Sequence, residues 1–456
     1  MGAREELIRR EGEMKTEVAI VGGGPAGATS AIFLLRQGIR PVIIEKETFP
    51  RYHIGESMTG ECGAIVRELG LETEMLRRRY PLKHGVKVFG RSAWFVPVMA
   101  RSADGSLQGQ VTWQVRRSDF DQMLLETALA QGAILVPGQA MNPLVEDDGA
   151  VRGVRVRAAD GGILDIESTM LLDCSGQATF LANAGIAGPK YLGAYDRQMA
   201  VFSQISGGLC DDGSTRDQQP GNTLIFYRQK YHWAWWIPLD DETVSVGVVA
   251  PAAYFQDKRE SKADYLSREL HELHPELKWR LPEIKFTEKV RAIANYSFQV
   301  KRFAGKGYLC IGDAHRFVDP IFSFGLFVTM KEAQLAASAV KAYLAGQDRD
   351  AADPFADYRR YCERAIDILE DTIDTFWEHP LTFARLVHMD HTAEMIDIFA
   401  NRVHENQPSP VVLRMRRLLK RERTYDQEDI YSVPIGSRYH PERAPLWEEH
   451  ALAWAG

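Results

Sequence analysis

Residues 17–35 read EVAIVGGGPAGATSAIFLL and join a short apolar strand to a helix through a cluster of glycines. Gly22, Gly24 and Gly27 fit the pattern G-x-G-x-x-G. In this pattern the first glycine permits a tight turn, the second lets backbone N–H groups approach a pyrophosphate, and the third lets helix and strand pack closely. The stretch therefore predicts a nucleotide-binding α/β domain.

A second apolar strand follows at residues 41–44 and ends in Glu45. This acid lies near the offset of about twenty residues at which a carboxylate binds the ribose of a dinucleotide. A lone glycine pattern is a weak signal, but glycines, strand, helix and acid in this order are a strong one. We expect this segment to contact the nucleotide through Gly22, Gly24, Pro25, Ala26, Gly27 and Glu45.

The composition sets the broad class of the protein. The chain has 456 residues, 45% of them hydrophobic and 26% charged, and a formal net charge of −7. This acidic balance gives no reason to expect nucleic acid as a partner, and no apolar run is long enough for a transmembrane helix. The charged N-terminus does not resemble a secretory signal, and five scattered cysteines predict a cytoplasmic protein without a disulfide framework or a metal site.

Two later segments favour FAD over NAD. LLDCSGQA (residues 171–178) and GYLCIGDAHRFVDP (residues 307–320) both read as strands that return to the first sheet. Together with the glycine segment they resemble the FAD monooxygenases of the hydroxybenzoate hydroxylase type. The resemblance implies that Asp313 binds the ribityl or phosphate part of FAD and that Asp173 and Gly176 support the cofactor. It also implies that Arg117 lies near FAD, the alternative being a surface arginine at a helix start.

No second G-x-G-x-x-G follows a strand, so the sequence gives no sign of a separate NAD(P)H domain. Reduced nicotinamide would then dock transiently, or another protein would supply reduced flavin.

Residues 232–239 read HWAWWIPL and hold three of the nine tryptophans. A strand would place Trp233 and Trp235 on one face and Trp236 on the other. Large aromatic side chains mostly serve packing, so a core ridge or a protein interface is the alternative to a functional wall.

The tryptophan stretch also fits W-x-W-x-I-P, and FVDPIFSFG (residues 317–325) fits F-x-x-P-x-x-S-x-G. These two motifs, in this order, resemble the flavin-dependent halogenases. FPRYHIGESM (residues 49–58) and YPLKHGVKVFG (residues 80–90) resemble two further segments of the phenol- and pyrrole-type members.

The resemblance implies an enzyme that uses reduced FAD, O₂ and chloride or bromide to form hypohalous acid. The acid would then halogenate an electron-rich aromatic ring, which is a phenol, a pyrrole or an indole. Trp233 and Trp235 would keep the organic substrate away from the flavin. The backbone amides of Ser323, Phe324 and Gly325 would bind the halide, and Gly325 would also border FAD.

The family's lysine falls on Lys83, within P-x-K-x-G, and would either carry the halogen as a haloamine or polarise hypohalous acid. The alternative is a surface lysine in a basic loop, and Lys87 is the fallback. Glu56 would position groups or act as a base, the alternative being a helix-capping role.

The implied partners are a separate NAD(P)H-dependent flavin reductase and an aromatic substrate, either free or tethered to a carrier protein. The chain departs from the family at residues 58–60, at His315, at Phe324 and at residues 326–327, which concerns the identity of the acceptor and the halide. The same scaffold also suits a flavin hydroxylase or reductase, a non-catalytic flavin-binding protein, or a halogenase that simply releases hypohalous acid.

The predicted fold is α/β, with a Rossmann-like FAD-binding domain, an inserted β-sheet domain on the substrate side and a C-terminal helical region. The FAD-binding domain takes residues 14–79, 115–191 and 295–344, the sheet domain residues 80–114 and 192–294, and the helical region residues 345–456. A disordered lead is expected over residues 1–13. Residues 413–425, LRMRRLLKRERTY, form a basic amphipathic segment that either docks an acidic carrier protein or a membrane, or is a solvated helix face.

Overall fold

The structure is a computed structural model, and it describes residues 8–10, 13–99, 111–188, 190–192, 198–255, 260–294, 297–349, 351–404 and 408–420. The strands in chain order are β1 (Ile8–Arg10), β2 (Glu13–Val21), β3 (Val42–Glu45), β4 (Leu82–Lys83), β5 (Gly85–Phe89), β6 (Ala93–Pro97), β7 (Thr112–Trp113), β8 (Ile134–Val145), β9 (Val151–Ala158), β10 (Ile163–Asp173), β11 (Lys190–Leu192), β12 (Gln198–Ser206), β13 (Thr223–Gln229), β14 (His232–Pro238), β15 (Thr243–Pro251), β16 (Lys285–Phe286), β17 (Arg291–Ala294), β18 (Phe298–Val300), β19 (Ala304–Gly305), β20 (Tyr308–Cys310) and β21 (Arg316–Phe317). The α-helices are α1 (Pro25–Arg36), α2 (Gly60–Glu68), α3 (Glu72–Arg77), α4 (Arg117–Ala130), α5 (Phe180–Asn183), α6 (Lys262–Glu272), α7 (Pro275–Trp279), α8 (Gly325–Leu344), α9 (Ala356–Glu378), α10 (Pro380–Arg385), α11 (Thr392–Phe399) and α12 (Pro410–Leu418).

The first large sheet has a parallel centre in the order β8-β3-β2-β10-β20. Its central strands are near-continuous apolar runs, as expected for strands that are covered on both faces. The register places Val21 beside both Ile44 and Asp173, and Asp173 beside Cys310. The carboxyl ends of four strands therefore meet at one edge, where the glycine segment begins.

The second large sheet has the order β16-β12-β15-β14-β13-β5-β6, with β17 also paired to β12. Strand β14 carries the tryptophans at the middle of this sheet, antiparallel to β13 and β15. Trp233 and Trp235 pack into the large core shared with the first sheet, whereas Trp236 packs into a separate core against α6 and α7. The predicted division of the tryptophans between two faces is confirmed.

The C-terminal region is helical over its described residues. Helix α9 has most of its side chains buried, and α8 begins at Gly325, the last residue of the S-x-G motif. The predicted α/β fold with two large sheets and C-terminal helices is confirmed, while the exact domain boundaries stay predictions.

The structure bears on the predicted lead, the basic segment and the predicted absence of a membrane span. The expected disordered lead is wrong in part, because Ile8–Arg10 pairs antiparallel with β2. Part of the basic segment 413–425 belongs to α12, which continues to Leu418, but residues 421–425 lie outside the described residues. Within the described ranges, no helix combines the length and apolar character that crossing a membrane requires.

Candidate active site

The glycine segment forms a tight turn between β2 and α1. Gly22 has a φ of 107°, and its N–H donates to the Ile44 carbonyl (2.8 Å). A Cβ on Gly27 would overlap the carbonyl oxygen of Gly22, which leaves room for no side chain there. Gly24 is the N-cap of α1 and provides no capping side chain within the described structure. The N–H groups of the first turn therefore remain donors for an anion such as a pyrophosphate.

Glu45 ends β3 directly beside this turn. Its carboxylate accepts from the N–H of Gly23 (2.6 Å) and from the N–H of Glu47 (2.8 Å). The side chain is buried and held at the edge where the sequence places a ribose-binding acid.

Asp313 and Arg117 come together from distant segments. Burial raises the pKa of Asp313 to about 6, and the nearby Arg117 charge opposes this shift. Arg117 is buried, pairs with Asp121 (2.6 Å) and donates to the Ile54 carbonyl (2.8 Å). The surface alternative for Arg117 is thus wrong.

The Asp173 carboxylate forms its hydrogen bonds within the turn that follows β10. It accepts from the N–H groups of Ser175 (3.0 Å) and Leu181 (2.8 Å), so it supports the strand end. Gly176 follows in a left-handed conformation, with a φ of 62°. This edge of the sheet fits FAD. The N-terminus of α1 has N–H groups for the pyrophosphate, Glu45 on β3 can bind the ribose, and Gly24 has no side chain that would keep the pyrophosphate away.

The two aligned tryptophans form a surface that we call the tryptophan wall, Trp233 and Trp235. Their ring centroids lie 6.0 Å apart, and Phe202 lies 6.0 Å from Trp235 on the same side. Trp235 sits across from Gly247 on β15, where a Cβ would overlap its indole ring. The indole N–H of Trp235 donates to Ser245 Oγ (3.1 Å), which fixes the plane of the ring.

Glu56 is fully buried and is linked to this wall through Ser245. Its Oε2 accepts from Ser245 Oγ (3.1 Å), and its Oε1 accepts from Gln204 Nε2 (3.4 Å). Burial raises the pKa of Glu56 to about 7. The helix-capping alternative is wrong, because Thr59 is the N-cap of α2 and the Glu56 carboxylate contacts the second sheet instead.

Lys83 is completely buried on β4. Its Nζ donates to Ser57 Oγ (2.8 Å), and none of the described carboxylates lies within ion-pairing distance of it. Burial lowers the pKa of Lys83 to about 7, so the amine is partly neutral near neutral pH. The surface alternative for Lys83 is wrong, and the fallback, Lys87, is engaged in an ion pair with Asp217 (2.9 Å).

The S-x-G turn, residues 323–325, leads into α8, which begins at Gly325, and it presents backbone amides. Ser323 adopts a left-handed conformation, with a φ of 64°, and its own N–H donates to the Pro320 carbonyl (3.0 Å). The expectation of three halide-binding amides therefore needs correction, because only those of Phe324 and Gly325 remain from the predicted set. Asp313 and Gly325 line one cleft, so this turn opens toward the flavin edge.

His315 departs from the family pattern and anchors the turn that carries Asp313. Its Nδ1 lies 2.7 Å from Glu332, its Nε2 lies 3.0 Å from Glu363, and Glu332 also accepts from the Gly312 N–H (2.7 Å). Burial alone lowers a histidine pKa, but the two carboxylates raise the pKa of His315 to about 9. A charged His315 thus ties α8 and α9 to the Gly312 turn.

The sequence interpretation missed Ser57, Ser245, Thr223 and Glu332. The only available signal was weak: Ser245 is a polar residue in an apolar strand, and Ser57 directly follows the candidate Glu56.

Comparison with known proteins agrees with this geometry. Residues 15–366 match the family model described as an FAD binding domain. The chain is 37% identical over 372 residues to the 1H-pyrrole-2-carbonyl-[peptidyl-carrier protein] brominase of Pseudoalteromonas luteoviolacea (strain 2ta16), covering 80% of this chain and 87% of that one. It is 30% identical over 344 residues to the tryptophan 2-halogenase of Chondromyces crocatus, covering 73% of this chain and 62% of the relative. Among solved structures, the flavin-dependent brominase Bmp2 superposes with a TM-score of 0.82 at 34% identity, covering 89% of this chain and 98% of that one.

Proposed function

The chain belongs to the flavin-dependent halogenases, and from that premise we propose that it halogenates a pyrrole-type ring held on a carrier protein, with Lys83 transferring the halogen. The observation that carries the transfer role is the buried amine of Lys83, which has a hydroxyl rather than a carboxylate beside it. A buried amine with a lowered pKa is nucleophilic near neutral pH, which surface lysines are not.

Reduced FAD held at the glycine edge would give two electrons to O₂ and the halide would give two more, so that the products are oxidised FAD, water and hypohalous acid. The residues of this chain bind the halide on one side and keep the acceptor ring on the other. The amides of Phe324 and Gly325 hold the halide, and the tryptophan wall keeps the organic ring away from the flavin. The neutral amine of Lys83 attacks the halogen of hypohalous acid, so that an N–halogen bond forms, the O–halogen bond breaks and water leaves. The N–halogen bond then breaks as the halogen passes to the ring, the ring loses a proton and the nitrogen regains one.

Glu56 is suited to handling a proton in this arrangement. Its pKa of about 7 means that the carboxyl group can exchange a proton near neutral pH, and Ser245 orients it. We propose that Glu56 serves as the base that takes the ring proton as the carbon–halogen bond forms.

The carrier-bound acceptor is proposed from the brominase named above, which acts on 1H-pyrrole-2-carbonyl groups on a peptidyl-carrier protein. A separate NAD(P)H-dependent reductase is proposed because the sequence has one dinucleotide fingerprint and no second. Cytoplasmic action fits the same scheme, since reduced nicotinamide and a carrier are both supplied there.

The proposal predicts the products of a reconstituted assay. The purified chain with FAD, NADH, a flavin reductase, O₂ and bromide should brominate pyrrole-2-carbonyl carrier protein and give the bromine isotope doublet in intact-protein mass spectrometry. Free pyrrole-2-carboxylate should react at least about tenfold more slowly, because the carrier supplies binding energy and effective concentration.

Omission of the reductase is the control for this assay. Without the reductase, NADH consumption should fall to the background rate of free FAD. A product heavier by one oxygen would make the enzyme a hydroxylase, and rapid bromination of the free acid would remove the carrier from the proposal.

Trp235→Ala tests the tryptophan wall. The variant should lose several kcal/mol of stability, as buried large-to-small changes do. It should still bind FAD, yet release more hydrogen peroxide per NADH and yield less halogenated product, because the space left by the indole ring admits solvent to the flavin edge. Peroxide release and product yield are measured in the same assay.

Trp236→Ala is the matched control, since Trp236 is also buried but faces the other core. It should lose comparable stability with unchanged coupling of NADH to product. If the yield of product per NADH is the same in the two variants, Trp233 and Trp235 serve only for packing.

A further inference from the structure

We infer that Ser57 is a positioning residue for Lys83, and that its hydroxyl determines how efficiently hypohalous acid is passed to the acceptor. This inference rests on the proposed transfer role of Lys83. No motif of the family resemblance assigns such a role to the serine that follows Glu56.

The backbone brings Ser57 and Lys83 to the two edges of one short strand, β7. On one edge, Lys83 pairs with Thr112, and the Gln114 N–H donates to the Pro81 carbonyl (2.9 Å). On the other edge, Ser57 bridges to Gln114 in an antiparallel sense. Alternate residues of a strand share a face, so the side chains of Lys83 and Ser57 are directed to the same side.

A chain of hydrogen bonds then fixes the serine hydroxyl. Ser57 Oγ lies 2.8 Å from Lys83 Nζ and 2.8 Å from Thr223 Oγ1. Gln114 Nε2 donates to the same Thr223 oxygen (2.9 Å) and to the Gly221 carbonyl (2.9 Å). Because Ser57 accepts from the lysine, its own proton is left to point at Thr223.

The four side chains in this hydrogen-bonded set, those of Ser57, Lys83, Gln114 and Thr223, are all buried, so the loss of any one hydrogen bond is costly. They come from three separate parts of the fold: the segment before α2, the β4–β7 pair with the residue that follows it, and β13 of the second sheet. The set therefore holds the amine at a defined point between the two sheets.

The chemistry of the partner matters as much as its position. A carboxylate beside Lys83 would stabilise the ammonium form and remove the lone pair that captures the halogen. A hydroxyl orients the amine while adding no charge. Ser57 thus holds the amine in position while favouring the ammonium form much less than a carboxylate would.

The test uses Ser57→Ala in the full chain with FAD and reductase. The amount of hypohalous acid is measured with a small thiol as trap, and the amount of halogenated acceptor is measured in parallel. We expect total hypohalous acid to stay within about twofold of wild type and the fraction transferred to the acceptor to fall about tenfold, because the contact that holds the Lys83 amine in place is lost.

The pH dependence gives a readout that a merely structural role would not move. The transferred fraction should rise with pH as Lys83 loses its proton. In Ser57→Ala the ammonium form loses its acceptor, so the midpoint of this rise should shift to lower pH. Ser57→Thr keeps the hydroxyl and should restore both the fraction and the midpoint.

Ser203→Ala is the matched control, because Ser203 is a buried serine of β12 whose hydroxyl donates to the Glu288 carbonyl (2.7 Å). It should leave the transferred fraction and its pH midpoint unchanged. An unmoved midpoint in Ser57→Ala, or equal effects of the two alanine variants, would overturn the inference.

A direct titration separates this inference from the proposed function. Lysine labelled with ¹³C at Cε is followed by NMR against pH, with the Lys83 signal assigned by its loss in Lys83→Met. A lower titration midpoint for Lys83 in Ser57→Ala supports the positioning contact even if Lys83→Met still halogenates, an outcome that would sink only the transfer role. An identical midpoint in both proteins would refute the contact itself.

Discussion

Lys83→Met should lower halogenation of the acceptor by about a hundredfold or more while hypohalous acid formation stays within about twofold of wild type. Methionine keeps the unbranched apolar stem that is buried here and removes only the amine. Oxygen use, flavin binding and halide oxidation depend on the glycine edge and the S-x-G turn, and Lys83 belongs to neither. The loss should therefore fall on transfer alone.

Lys83→Arg should fail as well. A guanidinium stays protonated in proteins, so it cannot offer the lone pair that a haloamine needs. It is also bulkier than the amine in a site whose nearest contact, Ser57, is 2.8 Å away. Rescue by arginine would instead favour a role as a permanent hydrogen-bond donor to hypohalous acid.

The pH profile of the wild-type enzyme distinguishes the same two routes. Burial lowers the pKa of Lys83 to about 7, so the neutral fraction grows as pH rises through that value and the ammonium fraction shrinks. Capture by the neutral amine predicts that the transferred fraction increases across this range. Polarisation by the ammonium group predicts the opposite slope.

Lys87→Met is the control for Lys83→Met. Lys87 lies four residues further on and holds an ion pair with the half-exposed Asp217 (2.9 Å), a kind of contact worth little. Transfer should change little in this variant. A folded, flavin-binding Lys83→Met enzyme that halogenates at the wild-type rate would withdraw the assignment, and a loss in Lys87→Met would move it to that residue.

The parts of the site that sequence predicted are those built from local rules. The turn at Gly22, the acid at the end of β3 and the opposite faces of Trp235 and Trp236 follow from spacing within one strand or one strand–helix unit. Each requires only the chain's immediate neighbours, so a single sequence carries the information.

The parts that sequence did not predict depend on pairings across the fold. The hydroxyls of Ser57 and Thr223 meet although they lie 166 positions apart, and Ser245 meets Glu56 across 189 positions. Such contacts depend on the register of one sheet against another, which local periodicity does not encode. The donation from Ser323 to Pro320 was missed for a different reason, since a left-handed φ at a non-glycine residue is uncommon.

Gly24→Ala should weaken FAD binding by about a hundredfold or more without unfolding the protein. Gly24 has an ordinary negative φ, and a Cβ built there meets only the terminal nitrogen of the Arg51 side chain, at 3.0 Å. The end of a flexible side chain can move, so the protein itself tolerates the methyl group. Gly162→Ala, in an exposed turn, serves as the control and should bind FAD normally.

The expected loss comes from the ligand side of the turn. The methyl group would project where a pyrophosphate approaches the first N–H groups of α1, and hydrogen bonds to a charged group are worth about 1.5–3 kcal/mol each. Losing two of them corresponds to a factor of at least about a hundred in Kd.

Gly27→Ala should behave differently, because its Cβ would overlap the Gly22 carbonyl and destabilise the protein even without FAD. Thermal unfolding of the FAD-free proteins and fluorescence titration with FAD separate the two effects. Wild-type affinity in Gly24→Ala would show that the pyrophosphate does not bind at this helix N-terminus.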